Sequence, residues 1–453
     1  MKSDMVASEE GDRIQGGAPE TLNDARGGGF NAVFRMKFKD GGSAVIRFTK
    51  TGASMFPEEK TKSEVATMRL IQHHTAIPIP SILHWSTRQE SPGGIGPFII
   101  KEYIDYKMIL VDALNIPGFC PATDRPILNP NIDEVRLERL YGQAAKILLE
   151  LSKMEFPLIG ALEETKEGSW EVTRRPLSLD MNELVRAGTL PQNKLPATTY
   201  NSSSEYLQSL ATLHVHHLAH QRNGAVESKV DCQRKYVVRH LFQKLASEKR
   251  LLSGKYDKGP FKLWCDDLRP SNILLDANLQ INGVIDWEFS YAAPNEFTFA
   301  PPWWLLLEQP EHWKQGIDDW SEKYEARLTT FLKAMADCED VMIASGQLQE
   351  GGERLSSKMR ESWASGDFWI VYAARRSFAF DGIYWNKIDQ RFFGADEQDT
   401  PPEDMWEKRL ELLDEQTREA MDSFVERKMT ETLTKELAWD PDSYTLECAK
   451  VVS

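Results

Sequence analysis

The chain has 453 residues, 41% of them hydrophobic and 27% charged; that is ample material for a core and more length than one core usually holds, so two lobes, or one domain with long extensions, are expected. A formal net charge of −15, from 69 acidic against 54 basic residues, disfavours surfaces that bind by counterion release, and neither nucleic acid nor membrane is expected as a partner. The longest apolar runs, such as Phe98–Ile100 and Trp303–Leu307, fall far short of a membrane span, and the opening MKSDMVASEEGDRIQGG lacks the apolar stretch of a signal peptide or anchor.

Five cysteines, Cys120, Cys232, Cys265, Cys338 and Cys448, are widely spaced, odd in number and never in a CxxC pair. That pattern argues against a disulfide framework and a thiolate zinc site, and fits a reducing, cytoplasmic location.

Residues 1–26 are polar and glycine-rich and read as a flexible tail, within which PETLNDAR, residues 19–26, is a poor strand former. From Gly27, GGGFNAVFRMKFKDGGSAVIRF gives an alternating strand with Phe34, Met36 and Phe38 on one face, a turn at Asp40, Gly41 and Gly42, and a second strand from Ala44 to Phe48; this is a β-hairpin. PEEKTKSEVATMRLIQHH follows, with Val65, Met68, Leu70 and Ile71 at helical spacing, and the extended TAIPIPSI ends it. Short strands around Ile82–Trp85 and Phe98–Tyr103 complete a small β-rich lobe over residues 27–104.

A larger, mainly helical lobe is expected over residues 105–394, with amphipathic helices near 135–155, 203–222, 229–252, 319–338 and 366–380. One hairpin interrupts them, Ile273–Asp276 and Ile281–Ile285, leading into Asp286. HVHHLAH, residues 214–220, holds four of the nine histidines; the spacing allows a metal pair on one helical face, but no third ligand stands near. PPWWLLLEQPEHW, Pro301–Trp313, reads as core in preference to an aromatic substrate pocket. Residues 395–453 are expected to form a C-terminal helical extension, with Trp406, Leu410, Leu413, Met421, Phe424 and Val425 at helical spacing.

The chemistry concentrates at LWCDDLRPSNILLD, residues 263–276. A hairpin sets its two ends side by side, so Asn272 entering the first strand and Asp286 leaving the second should lie together, with Asp267 on the loop just before. Asn272 and Asp286 offer oxygen ligands suited to Mg²⁺, and Asp267 offers a carboxylate that can take a proton from a hydroxyl. Phosphoryl transfer needs little beyond these parts.

At these residues the sequence resembles the kinase-like aminoglycoside and choline phosphotransferase family, in particular the fungal proteins of the phosphotransferase enzyme family. CDDLRPSN, Cys265–Asn272, is similar to the catalytic loop HGDxxxxN, and VIDWEF is similar to the IDxE or IDFG segment that carries a metal-binding Asp. Cys265 and Asp266 stand where that loop has His and Gly. The resemblance spans Gly27 to Gly394 and implies an α+β, bilobal, protein-kinase-like fold. It also implies an ATP- and Mg²⁺-dependent transfer to a hydroxyl of a small-molecule acceptor. In it Asp267 would be the catalytic carboxylate, and Asn272 and Asp286 the metal ligands. Gly27, Gly28, Gly29, Phe30 and Asn31 would cover the phosphates. Arg47 would contact them, Glu64 would pair with Arg47, and Glu102 and Tyr103, in PFIIKEYI, would lie at the hinge that holds adenine. The alternative is a binding module of the same fold without turnover.

Overall fold

The computed structural model describes residues 17–23, 26–50, 52–119, 124–222, 224–394, 401 and 404–434. Cys120, Cys448, most of the N-terminal tail and the last part of the C-terminal extension lie outside them.

The first layer is an antiparallel sheet of β1 (Pro19–Leu22), β2 (Arg26–Gly27), β3 (Asn31–Phe38), β4 (Ser43–Thr49), β5 (Ile82–Ser86) and β6 (Phe98–Glu102). The strand order is β1-β3-β4-β6-β5, with β2 also on β3. Register sorts the side chains by face: Phe34 opposes Ile46, whereas Arg47 lies between Val33 and Ile99, and Val45 opposes Lys101. Phe34, Phe48 and Phe98 therefore pack on one face, with ring centroids 6.3 and 5.6 Å apart in turn. Arg47 and Lys101 share the other.

One expectation about this region changes. Residues 19–22 of the tail form β1, paired with residues 36–38, so a stretch poor in strand formers is held by the ladder of a strong neighbour. The three-glycine segment is a tight β2–β3 turn, closed by Gly28 N–H donating to the Asn31 carbonyl at 3.0 Å.

Helix α1 (Pro57–His74) has Pro57 in its first turn with Glu58 and Glu59, and His73 and His74 in its last, an arrangement that suits the helix dipole at both ends. After β6, residues 103–107 lead to β7 (Met108–Ile109) and α2 (Leu110–Leu114). The large lobe then builds on α3 (Glu134–Ser152), β8 (Glu155–Phe156), β9 (Ala161–Glu164), β10 (Trp170–Arg174), α4 (Leu179–Arg186), α5 (Ser203–His220) and α6 (Lys229–Ser247). The side chains of Asp133, Ser178, Ser202 and Ser228 cap the starts of α3, α4, α5 and α6, each accepting from a first-turn N–H.

β11 (Phe261–Cys265), β12 (Ile273–Leu275), β13 (Ile281–Val284) and β14 (Ser290–Ala293) frame the central loop. The single hairpin expected here is β12–β13, and it is joined by β7 on its outer edge. Beyond that expectation, β11 lies between β14 and β8, and β9 pairs with β10. β11 alternates Phe261, Leu263 and Cys265 inward with Lys262 and Trp264 less buried, a period-two signal present in the sequence.

The remaining elements are α7 (Asn295–Phe299), α8 (Ile317–Ala344), α9 (Leu355–Ser365), α10 (Asp367–Ala374), α11 (Phe380–Ile383), α12 (Asp389–Phe393), α13 (Met405–Leu410) and α14 (Glu415–Thr434). The helix expected over 366–380 breaks after Ala374, and Arg375–Ala379 is a turn before α11. α3 packs on α8 and α5 on α6. Trp320, Tyr324, Trp363, Phe368 and Trp369 form one aromatic cluster, with Trp320 stacked on Tyr324 at 4.4 Å. α14 lies on α6 through Phe424 and Tyr236, and buried Lys428 donates to the Ala219 and Gln221 carbonyls at the end of α5. Among the described residues, no helix is long and apolar enough to cross a membrane.

The histidine run belongs to this core. His214 stacks on Phe380 at 4.2 Å, and Arg239, itself paired bidentately with Asp381, donates to the His214 carbonyl and to His217 Nδ1. Among the described residues no cluster of three or more His, Cys, Asp or Glu is arranged for a metal. Burial, and then the Arg239 charge, hold both imidazoles well below the ordinary histidine pKa.

Lowered pKa values mean that the unfolded chain takes up protons near pH 6.5 that the native state refuses, so stability should hold above that pH and fall below it. Each histidine contributes at most about 1.4 kcal/mol per pH unit. Denaturant titrations between pH 5 and pH 8 should show this fall, and His214→Gln/His217→Gln should flatten it; equal slopes in the two proteins would exclude the histidines as its source.

Candidate active site

Asp267 is buried on the loop after β11, and Arg269 Nε sits 2.9 Å from its Oδ1. Asn272 Nδ2 donates to the Asp267 carbonyl at 2.8 Å and to its Oδ2 at 3.1 Å. With its amide nitrogen committed to the loop, Asn272 has its side-chain oxygen open to a ligand. The hairpin does what its geometry requires. Ile273 opposes Val284, and Ile285 N–H donates to the Asn272 carbonyl at 2.9 Å, so Asp286 emerges beside Asn272. Asp286 sits at φ +61, a left-handed conformation that Asp tolerates better than most residues and that gathers at functional sites.

Burial pushes the Asp267 carboxyl up to about 6, partly opposed by Arg269. Asp286 moves the other way. Burial works against its charge, but Lys101, Arg47 and Lys60 outweigh that and hold it below the usual carboxylate range. Two carboxylates a hairpin apart are thus shifted in opposite directions, Asp267 up and Asp286 down.

The small lobe supplies the cations. Arg47 donates from Nη1 to Asp286 Oδ1 at 2.8 Å and from Nη2 to Glu64 Oε2, with Arg47 and Glu64 both buried. Burial opposes the Arg47 charge, but Glu64, Asp286 and Glu288 overcome it and raise its pKa further. Lys101 Nζ lies 3.8 Å from the same Asp286 oxygen. Its pKa is lowered, by burial first and by neighbouring Arg47 second.

A second buried cluster stands alongside. Lys60 pairs with Glu288, and Asn31 accepts from Lys60 at 3.1 Å and donates to both Glu288 oxygens at 3.3 Å. Asn31 was expected to cover phosphates, but its side chain is spent on this tie between the lobes. Phe30 packs edge-on against Phe289 at 5.4 Å. Gly27 pairs with Ala32 in the β2–β3 ladder, and Lys50 Nζ donates to the Gly28 carbonyl at 2.7 Å. A Cβ on Gly29 would meet nothing within 4 Å, so the protein's own packing leaves the tip of this turn uncovered.

Glu102 and Tyr103 lie where β6 leaves the sheet. Their N–H groups go to the carbonyls of Ser81 and Ser43, at 2.9 and 3.4 Å, and Arg35 lies over the Tyr103 ring at 3.4 Å. What they offer a ligand is therefore their carbonyls. Ile104 packs against Gly283, where a Cβ would come within 2.9 Å of its Cδ1, so the connection between the lobes rests on the hairpin.

Asp266 and Cys265, the two departures from the loop pattern, both have structural work. Asp266 Oδ1 accepts from Trp264 Nε1 at 2.7 Å and from Arg375 Nη1 at 3.1 Å, and Oδ2 accepts from Leu179 N–H at 3.1 Å. The loop is thereby clamped to β11, to the start of α4 and to the turn after α10. Cys265 is buried, its thiol pKa raised by burial, and Sγ donates to the Glu288 carbonyl at 3.6 Å.

Sequence reasoning thus identified Asp267, Asn272, Asp286, Arg47 and Glu64, which the fold brings together, and missed Lys101, Lys60 and Glu288. Signals for all three exist in the sequence. Lys101 is an inward charge in the otherwise apolar FIIK, Lys60 stands one helical turn before Glu64, and Glu288 is two residues past Asp286.

The oxygen donors fit a hard cation. Asn272 and Asp286 would supply two ligands, the pattern Mg²⁺ uses when phosphates and water complete its shell.

The profile of the phosphotransferase enzyme family matches residues 22–328 of this chain. A subtelomeric hrmA-associated cluster protein of Aspergillus fumigatus is 27% identical over 144 residues, 32% of this chain and 25% of that protein, so the chain spans about a quarter of the length of this curated relative. Among solved structures, Plasmodium vivax ethanolamine kinase is 12% identical, with 86% of this chain and 81% of that one covered and a TM-score of 0.40. A spectinomycin phosphotransferase solved with ADP and spectinomycin is 10% identical, with 90% and 94% covered and a TM-score of 0.37. With a family match over more than half its length, the chain belongs to the phosphotransferase enzyme family.

Proposed function

We propose that the protein is an ATP- and Mg²⁺-dependent kinase that phosphorylates a hydroxyl of a small molecule. The observation that carries this reading is the convergence of Asp267, Asn272 and Asp286 from one hairpin with the buried Arg47–Glu64 pair from the opposite lobe. Asp267 takes the proton of the acceptor hydroxyl as its oxygen attacks the γ-phosphorus, the bond from phosphorus to the bridging oxygen breaks, and ADP leaves with that electron pair. Asn272 and Asp286 would hold Mg²⁺, which would supply charge to neutralise the phosphates.

Arg47, already donating to Asp286 and Glu64, brings its charge and remaining N–H groups toward the phosphate oxygens, and Glu64 fixes the plane of the guanidinium. Lys101 adds a second cation on the same face of the sheet. The β2–β3 turn, with its uncovered Gly29, lies over the phosphates, and the carbonyls of Glu102 and Tyr103 are the groups at hand for the adenine amino group. The domain limits implied are a nucleotide lobe over 27–104, a catalytic and acceptor lobe over 105–394 and a helical extension beyond.

A binding module without turnover draws on the same geometry, because Arg47 and Lys101 already neutralise Asp286. The two readings separate on Asp267. In thermal melts, nucleotide with Mg²⁺ should stabilise the wild type and fail to stabilise Asp286→Ala; equal stabilisation of both would remove the metal role. Asp267→Asn should keep that stabilisation and lose about 10²–10⁴-fold in phosphoryl transfer, whereas unchanged slow ATP hydrolysis would favour the binding module. Glu64→Ala leaves Arg47 buried with one partner fewer and should lower unfolding free energy by about 3–5 kcal/mol without any ligand; a loss below about 1 kcal/mol in denaturant melts would show that Asp286 alone suffices.

A further inference from the structure

Beside the catalytic loop, a cavity of about 330 Å³ is lined by Leu179, Asp180, Asp266, Glu311, Arg376 and Phe378, among others. Its size suits a small molecule. Asp266 puts it one residue from Asp267, and Phe378 stands 55% exposed among its walls.

The charges in its walls are unequally satisfied. Asp266 is bound by Trp264, Arg375 and the Leu179 N–H. Asp180 accepts from Ser377 N–H at 2.9 Å and Ser377 Oγ at 2.7 Å, Glu311 accepts from the Tyr372 hydroxyl at 2.7 Å, and Glu183 pairs with Arg186. Of the two arginines, Arg375 is committed to Asp266 and to the Val371 carbonyl. Arg376 is different. It lies over the rings of Trp303 at 5.8 Å and Tyr372 at 5.6 Å, and among the described residues its guanidinium makes neither a hydrogen bond nor an ion pair within 4 Å. Its orientation follows from the break after α10, which turns Arg375 to the loop and Arg376 to the cavity.

A guanidinium with its N–H groups unspent, lying over the Trp303 and Tyr372 rings at the wall of a cavity whose acids already accept hydrogen bonds from the protein, can take a planar oxyanion through two N–H bonds at once. We infer that Arg376 reads an anionic group, a carboxylate or phosphate, on the acceptor, so that the substrate is a hydroxyl-bearing acid held by Arg376 while its hydroxyl faces Asp267. This rests on the kinase reading for the identity of the bound molecule as substrate, but not for the binding site itself. Glu311, Asp266 and Asp180 stand in the same walls without an ion pair to Arg376, so an anion gains there only by meeting the guanidinium directly.

The test is equilibrium binding by thermal shift and calorimetry, with ADP and Mg²⁺ present. The probes are hydroxycarboxylates and phosphorylated alcohols, each paired with its uncharged amide or unphosphorylated parent, together with amino alcohols and neutral sugars. The proteins are the wild type, Arg376→Gln and Arg376→Lys. At least one acid should bind the wild type while its uncharged partner does not. Arg376→Gln should weaken that acid about tenfold to a hundredfold, and Arg376→Lys should restore part of the loss. Preference within the acids assigns carboxylate or phosphate. Binding only of neutral or amine compounds, equal binding by wild type and Arg376→Gln, or no acid binding to the wild type would overturn the inference. Nucleotide stabilisation retained by wild type and Arg376→Gln in those cases leaves the kinase reading standing, and its loss in the wild type would count against that reading alone.

Discussion

Everything at the centre of this molecule turns on keeping buried charges in balance. Asp286 receives Arg47 and Lys101 from the sheet, and Glu288, two residues later, receives Lys60 from α1. Removing several charges from water is costly, and the cost is met only when each finds a partner at short range. Each of these partners comes from the opposite lobe. The same contacts therefore hold the lobes together and define the site, which explains why Arg47, Glu64, Lys60 and Glu288 are among the least exposed side chains although all are ionisable.

The loop beside this network gains its rigidity differently. Where the familiar pattern has a small residue, Asp266 reaches across to Trp264, Arg375 and the first N–H of α4. Arg375 in turn lies over Trp264 at 4.5 Å and Phe297 at 5.0 Å, so the ion pair is packed as well as bonded. A substitution that reads as a loss in the sequence is one end of a brace in the fold.

How much of this was legible follows from the range of the signals. The β3–β4 hairpin, α1 and the β12–β13 hairpin carry local patterns, and with the loop motifs they single out Asp267, Asn272, Asp286, Arg47 and Glu64, which the fold brings together. β14, Ser290–Ala293, is buried throughout and has no alternation to read. The contacts that were missed join distant residues: Asp266 and Arg375 are 109 positions apart, and Lys60 and Glu288 are 228 apart. No periodicity spans such distances. PETLNDAR was misread for a related reason, because β1 owes its form to its partner strand more than to its own residues.

The connection between the lobes has a mechanical meaning. β7 is the third strand of the hairpin sheet, Lys107 N–H bonds the Leu275 carbonyl at 2.8 Å, and Ile104 fills the space left by Gly283. Only residues 103–107 between β6 and β7 lie outside a strand. Any rocking of the sheet has its pivot there, directly over the hairpin. Such a motion lengthens or shortens the gap from Arg47 to Asp286 while leaving Asp267 and Asn272, which are bonded within one loop, at rest, so opening and closing change the charge around Asp286 without disturbing the Asp267–Asn272 contact.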